Sequence, residues 1–339
     1  MNIVIDAFGG DNAPLEVIKG SIRAQKDFGV EITLVGDENK IKECALKNAL
    51  DISQLKIKHA DTVIEICDDP RQILKEKKDC SMAVGMKMLS DGEGDAFVSA
   101  GSTGAIVCGA LFIVKSLDKK LVKRPALATV LPTAGKPTML LDSGANLDCK
   151  PETLVQFGVM GSAYMQKIMN VEKPRVALAN IGAEESKGRD LDKAAYKLLE
   201  TAPVNFVGNI EARQLPLGDC DVCVADGFSG NLMLKLYEGM GKFFSNELKG
   251  IFKKNVKTKL AAAMVMKNIK DFKKKVDYSE YGGAPLLGTA KPVIKAHGSS
   301  DAKAFYNAIR QAKQFTETKV IETISQALAQ MKAEAAAEK

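Results

Sequence analysis

Six clusters of small polar residues each follow directly on a short apolar run. They are Ala7-Phe8-Gly9-Gly10-Asp11-Asn12, Ala100-Gly101-Ser102-Thr103-Gly104, Ser143-Gly144-Ala145-Asn146, Asn180-Ile181-Gly182-Ala183-Glu184, Asp226-Gly227-Phe228-Ser229-Gly230-Asn231 and Ala296-His297-Gly298-Ser299-Ser300-Asp301. Glycine lets backbone N–H groups approach an anion closely, Ser and Thr add hydroxyl donors, and a following helix adds the positive end of its dipole. Taken singly, each cluster is an ordinary strand-to-helix turn. Together they point to a site that holds phosphate or a phosphoryl group. Gly9, Gly10, Ser99, Gly101, Ser102, Thr103, Gly104, Asn146, Gly298, Ser299 and Ser300 are the candidate phosphate or substrate ligands.

Three further residues could act on a reacting group. Lys187, in Glu184-Glu185-Ser186-Lys187-Gly188, could stabilise phosphate or an oxyanion, against the alternative of a solvated surface lysine. Asn231 follows Gly230 at an expected helix start, where its amide could donate to an oxyanion or cap the helix. His297 could contact phosphate or protonate a leaving group, or be held structurally by the backbone, while Ser299, Ser300 or Asp301 caps the next helix. Asp6 and Asp11 would repel an anion if they pointed inward, so they are expected to hold the loops.

Other chemistries find less support. The chain has no G-x-x-x-x-G-K-[ST] and no G-x-G-x-x-G after its first apolar run, and Gly36-Asp37 reads as a helix cap rather than a ribose ligand. His59 and His297 are the sole histidines, and there is no H-E-x-x-H or carboxylate cage, so no metal or cofactor is expected. Cys220 and Cys223 form a lone C-x-x-C inside a strand-like run, which favours neither zinc nor redox work.

The elements that must position these loops are short apolar runs alternating with stretches of helical period, the pattern of a largely parallel α/β sheet. Strands are expected at 3–6, 32–35, 96–99, 127–131, 139–142, 176–179, 205–207, 222–225 and 293–295, with helices opening near Pro14, Pro70 and Pro151. In such a fold all six loops would gather at one carboxyl edge of the sheet. Residues 1–330 read as one catalytic unit, or two subdomains, and 332–339 as a frayed tail. Apolar residues at 46% and charged residues at 27% are ordinary globular values. No apolar run approaches the roughly 20 residues needed to cross a bilayer, and the start has no basic leader, so a cytoplasmic protein is expected. Seven scattered cysteines, an odd number, suit reduced thiols.

The net charge of +6 is unevenly placed. Eleven lysines and two acids between Lys242 and Lys275 give that segment +9, leaving −3 on the rest. Apolar residues recur there at helical spacing, so 236–276 is expected to form a protruding amphipathic hairpin of two helices. Its turn, from Leu260 through Met264 and Val265 to Met266, is uncharged and flanked by Lys257, Lys259 and Lys267. Much of the apolar stripe is expected in a dimer interface. An uncharged tip ringed by lysine suits an anionic membrane surface instead, and nucleic acid is not an expected partner.

The runs Asp6-Ala7-Phe8-Gly9-Gly10-Asp11-Asn12-Ala13-Pro14, Ser99-Ala100-Gly101-Ser102-Thr103-Gly104-Ala105, Asp142-Ser143-Gly144-Ala145-Asn146, Asp226-Gly227-Phe228-Ser229-Gly230-Asn231, Tyr281-Gly282-Gly283-Ala284 and Lys295-Ala296-His297-Gly298-Ser299-Ser300-Asp301 closely resemble the bacterial phosphate acyltransferases of phospholipid synthesis, the PlsX family. The resemblance runs in order from residue 1 to about 320, with Phe8 standing where that family would have Met. It implies a three-layer α/β/α homodimer similar in fold to phosphate acetyltransferase and to the isocitrate and isopropylmalate dehydrogenases. It also implies transfer of a long-chain acyl group from acyl-[acyl carrier protein] to inorganic phosphate, without cofactor or metal. The acyl phosphate would feed a membrane-bound glycerol-3-phosphate acyltransferase, placing the protein peripherally on the inner face of the membrane. The acidic carrier protein would dock on basic residues such as Lys187, Arg189 and Arg213. Action on acyl-CoA, or a peripheral lipid-binding scaffold, are the alternatives.

Overall fold

In the computed structural model, which describes residues 1–276 and 278–337, the chain first lays down parallel strands in βαβ order. Strand β1 (Asn2–Asp6) leads into α1 (Leu15–Phe28), β2 (Glu31–Gly36), α2 (Glu38–Lys47) and β3 (Lys56–His59). Helix α3 (Ser81–Asp91), β4 (Ala96–Ser99) and α4 (Thr103–Gly109) follow, and β5 (Ala126–Leu131) and β6 (Thr138–Leu141) then form an antiparallel pair. The second half runs α5 (Pro151–Met169), β7 (Arg175–Asn180), α6 (Asp190–Glu200), β8 (Asn205–Glu211) and β9 (Val222–Val224). Helices α7 (Gly227–Lys253), α8 (Val256–Met264) and α9 (Met266–Val276) come next, then β10 (Ala284–Leu287), β11 (Val293–Lys295), α10 (Ala302–Glu317) and α11 (Val320–Ala337). Asp37 caps α2 by accepting Lys40 N–H, as expected, whereas Pro70 opens a 3-10 turn rather than an α-helix.

All eleven strands join one sheet in the order β3-β2-β1-β4-β11-β10-β5-β6-β9-β7-β8. Alternation along each strand divides the core between two layers of helices. Ile3 and Ile5 belong to the core cluster that also takes in α1, α5, α10 and α11, while Val4 belongs to the one that takes in α3 and α4. In the second half Val222 and Val224 join that first layer, and Cys223, Leu140 and Ala177 lie beneath the start of α7. Burying an Ile or Val side chain in this way contributes about 1.5–3 kcal/mol. The three-layer α/β/α architecture is therefore the expected one.

Strand direction departs from expectation. β4 and β11 are parallel, β10 runs against β11, β5 against β10 and β6 against β5, after which β9, β7 and β8 are all parallel to β6. The two halves of the sheet consequently point their carboxyl ends in opposite directions, so the six loops do not gather at one edge. They form two groups, and α7 runs back from one group to the other.

The basic segment contains three helices, not two. Asn255 caps α8 through Thr258 N–H, α8 packs on α7 and α9 on α8, and the chain turns again at Val265. Most of the uncharged run at 260–266 is helical. At the other end, α11 continues through 332–337, where a frayed tail was expected; 338–339 lie outside the described residues.

Candidate functional site

The first group of loops sits at the ends of β1, β4 and β11. Asp6 is fully buried there, with Oδ1 accepting from Ser81 Oγ at 2.6 Å and Oδ2 from Ser99 Oγ at 2.7 Å. Burial raises its pKa, and these hydroxyls oppose the rise. The Gly9 backbone lies so close to this pair that a Cβ would come within 2.7 Å of Ser99 Oγ and of Gly101 N, so only glycine fits. Asp11 N–H donates to Gly298 O at 2.8 Å, and Asn12 Nδ2 donates to the carbonyls of Ser299 and Ser300. These bonds bring Gly9, Gly10, Gly101, Gly298, Ser299 and Ser300 together as expected. Asp6 holds the loops through its carboxylate, as expected, whereas Asp11 does so through its backbone N–H while its side chain is exposed. Ser102 Oγ caps α4, with Thr103 and Gly104 forming its first turn.

The second group sits at the ends of β6, β7 and β9. Asp142 accepts from Leu127, Gly144, Ala145 and Asn146 N–H groups, and shapes the loop from within. Asp226 caps α7 through Ser229 N–H at 2.7 Å, and Arg189 Nη2 joins Asp226 Oδ2 at 2.5 Å and Asp192 Oδ1 at 2.9 Å. Burial acts to raise the Asp226 pKa, but the Ser229 N–H and the Arg189 guanidinium outweigh it and leave the carboxyl below its usual value. Arg189 therefore ties the loop that carries Lys187 to the start of the helix that carries Asn231. Position 230 must be glycine, because a Cβ would lie 1.9 Å from Asp142 O.

Two candidate ligands are corrected by this geometry. Ser99 is buried, gives its hydroxyl proton to Asp6 and accepts Gly101 N–H, so it supports the loop rather than facing a ligand. Asn146 is buried too, and its Nδ2 donates to Pro125 O and Asp142 Oδ2. Asn231 is exposed one turn inside α7, with its side chain 3.5 Å from the space a Cβ on Gly144 would fill. Asp226 being the cap, the capping alternative for Asn231 falls away. Lys187 is exposed, its stem lying over Gly182. Arg189, expected as a docking residue, is instead engaged by two aspartates, and Arg213 pairs with Glu211.

Helix α7 connects the groups. Asn231, Lys235, Glu238 and Lys242 recur at four, three and four residues, which places them along one face. Lys235 Nζ pairs with Glu238 Oε2 at 2.9 Å, and Glu238 Oε1 reaches to 3.9 Å from His297 Nε2. Tyr237 Oη donates to Pro132 O beyond the end of β5, fixing the helix across the sheet. From Asn231 to Glu238 the helix rises about 10 Å, so this polar face of α7 runs from the second group of loops, at Asn231, to the first, at His297. His297 Nδ1 lies 2.9 Å from Ser299 Oγ and 3.2 Å from Ser299 N, which holds the ring in place. Burial lowers the His297 pKa, with Glu238 opposing.

Sequence reasoning missed Lys295 and Lys235 as site residues. Lys295 closes β11 with its ammonium largely buried, donating to Ala296 O, and burial brings its pKa down to about 8 with Lys235 adding repulsion. A charged residue between Ile294 and Ala296 on a central strand was the available signal.

Comparison with known proteins fits this geometry. The family model described as fatty acid synthesis protein matches residues 1–323. The phosphate acyltransferase of Acetivibrio thermocellus is 47% identical over 335 residues, 98% of each chain. That of Listeria innocua is 46% identical over 327 residues, 96% of this chain and 95% of its own. Among solved structures, a phosphotransacetylase from Streptococcus pyogenes superposes with TM-score 0.64 at 17% identity, covering 95% of this chain and 94% of its own. The EutD phosphotransacetylase from Staphylococcus aureus gives 0.60 at 18%, with the same coverage. At those identities the structures speak for the fold alone.

Proposed function

Since the chain belongs to the fatty acid synthesis protein family and is an acyltransferase that uses phosphate as acceptor, we propose that it takes a long-chain acyl group from acyl-[acyl carrier protein] and yields acyl phosphate by direct attack of bound phosphate. The observation that carries this reading is the polar face of α7, with glycine-rich loops and His297 at one end and the loops of Lys187 and Asn231 at the other. A thiol leaving group has a pKa of roughly 8.5 and needs little acid assistance. Phosphate is itself the nucleophile, so the work left to the protein is to fix it beside the carbonyl and stabilise the tetrahedral oxyanion.

In this reading Lys187 and Asn231 stabilise the oxyanion, and His297 faces phosphate or the departing thiolate. The backbone N–H groups of Gly10, Ser102–Gly104 and Gly298 supply anion donors. The protein works as a homodimer, with part of the α7 apolar stripe covered by the partner. Among the described residues no helix is long and apolar enough to cross a membrane. The hairpin supports a peripheral contact on the inner face of the membrane instead: Leu260 is 62% exposed, Met264 81% and Val265 39%, beside exposed Lys257, Lys259 and Lys267. Such a contact would hand a lipophilic product to a membrane-bound glycerol-3-phosphate acyltransferase. Supplying matched acyl-carrier-protein and acyl-CoA substrates with phosphate tests the donor. Faster acyl phosphate formation from the carrier-protein thioester is expected, and a preference for acyl-CoA would assign the donor to coenzyme A.

A further inference from the structure

The end of β11 holds an ammonium, that of Lys295, whose hydrogen bond is to Ala296 O and which has no ion pair among the described residues. The Lys295 ammonium is largely buried, and the Lys235 ammonium approaches it from α7 and repels it. Lys242 and the half-buried His297 add to the same field. Against these stand Asp11, exposed at the loop rim, and Glu238, already engaged with Lys235 and near His297. A largely buried ammonium without an ion pair costs free energy unless an anion lies against it, and Lys235, 58% exposed and paired with Glu238 at 2.9 Å, stands at its rim. The surrounding backbone is suited to one: Gly9-Gly10 and Gly298-Ser299 close over this corner, and a Cβ on Gly10 would meet Gly298 O at 2.9 Å. The Ser300 hydroxyl in the same loop is buried, with no hydrogen-bond partner among the described residues.

We propose that the attacking phosphate binds between the Lys295 and Lys235 ammonium groups, under the Gly9–Gly10 and Gly298–Ser299 backbone. This assignment rests on the acyl-transfer reading above and divides the polar face of α7. Lys295 and Lys235 hold the nucleophile, while the thioester carbonyl lies toward Asn231, one helical turn from Lys235, so that the reacting atoms can meet. The hydrogen phosphate dianion forms a P–O–C bond to the carbonyl carbon, the C–S bond breaks, and the phosphate proton ends on the thiolate, giving acyl phosphate and free thiol. Lys295, tethered to Ala296 O, sets the position of the anion. Lys235, more exposed, completes the pair.

The test is steady-state kinetics of Lys295→Met and Lys235→Met with acyl-carrier-protein thioester and inorganic phosphate varied in turn. Phosphate binding to the free proteins is followed in parallel by the thermal midpoint at increasing phosphate. We expect the KM for phosphate to rise at least thirty-fold in Lys295→Met and about ten-fold in Lys235→Met, with the KM for the thioester within two-fold of wild type. The upward shift of the midpoint by phosphate should be lost in Lys295→Met. Should that variant misfold, Lys235→Met carries the test alone. A wild-type phosphate KM in both folded variants, or a rise in the thioester KM alone, overturns the placement while leaving acyl transfer intact. A wild-type protein that forms no acyl phosphate defeats the reading beneath it instead.

Discussion

Removing the Arg189 guanidinium should disconnect the two loops that carry the catalytic candidates. Arg189 makes charge-assisted bonds to Asp192 and Asp226, and the Asp226 side chain is only 2% exposed whereas that of Arg189 is 56% exposed. A hydrogen bond to a charged group is worth about 1.5–3 kcal/mol, and the open side of the guanidinium screens it. In Arg189→Ala, Asp226 keeps Ser229 N–H while losing its counter-charge. A net destabilisation of about 2 kcal/mol is expected. Displacement of the Lys187 loop by about 1 Å should lower turnover on the order of 100-fold. The sign with pH follows from Asp226. Its folded pKa lies below the unfolded value, so its contribution is present above roughly pH 4 and is lost as pH falls through the folded pKa. Without Arg189 that pKa rises, and acid unfolding should begin at higher pH. Urea titrations from pH 4 to 8, together with turnover, measure both effects, and Arg189→Lys should recover part of each. A folded Arg189→Ala protein with unchanged stability and turnover would refute the clamp.

Lys187→Ala should lower kcat by about 100- to 1000-fold with the thermal midpoint almost unmoved, because the residue is exposed and, in the proposed function, acts on the oxyanion. Asn231→Ala should do the same without a helix-capping loss, since Asp226 is the cap; stability loss at constant turnover would reverse that assignment. The KM for acyl carrier protein should rise with salt if an acidic partner docks by charge, and a salt-independent KM rejects it. In flotation with anionic and zwitterionic vesicles, the wild type should bind only the anionic ones, and a Leu260→Glu/Val265→Glu double variant should not bind. Equal binding by both proteins shows that the hairpin end is not the anchor.

The sequence exposes the parallel strands well because each is an apolar run closed by glycine or small polar residues. It conceals β3, where Lys56-Ile57-Lys58-His59 carries one apolar residue on an edge, and β10, where Pro285 argues against a strand. Missing β10 hides the reversal of direction, since β10 and β5 are the strands that turn one half of the sheet against the other. That reversal separates loops which look equivalent in sequence. Local chemistry was legible, as Asp37 and Asp6 show. Commitments made across the fold were not: nothing near Ser99 or Asn146 in sequence reveals that their side chains are spent on Asp6 and on Pro125.

The most direct measurement of the account is a single-turnover reaction of acyl-[acyl carrier protein] with 32P-labelled phosphate. Free thiol and acid-labile labelled acyl phosphate should appear together in equal amounts, and no thiol should be released without phosphate. Thiol release in the absence of phosphate, with free fatty acid or a stable acylated protein as the product, would contradict direct attack by bound phosphate.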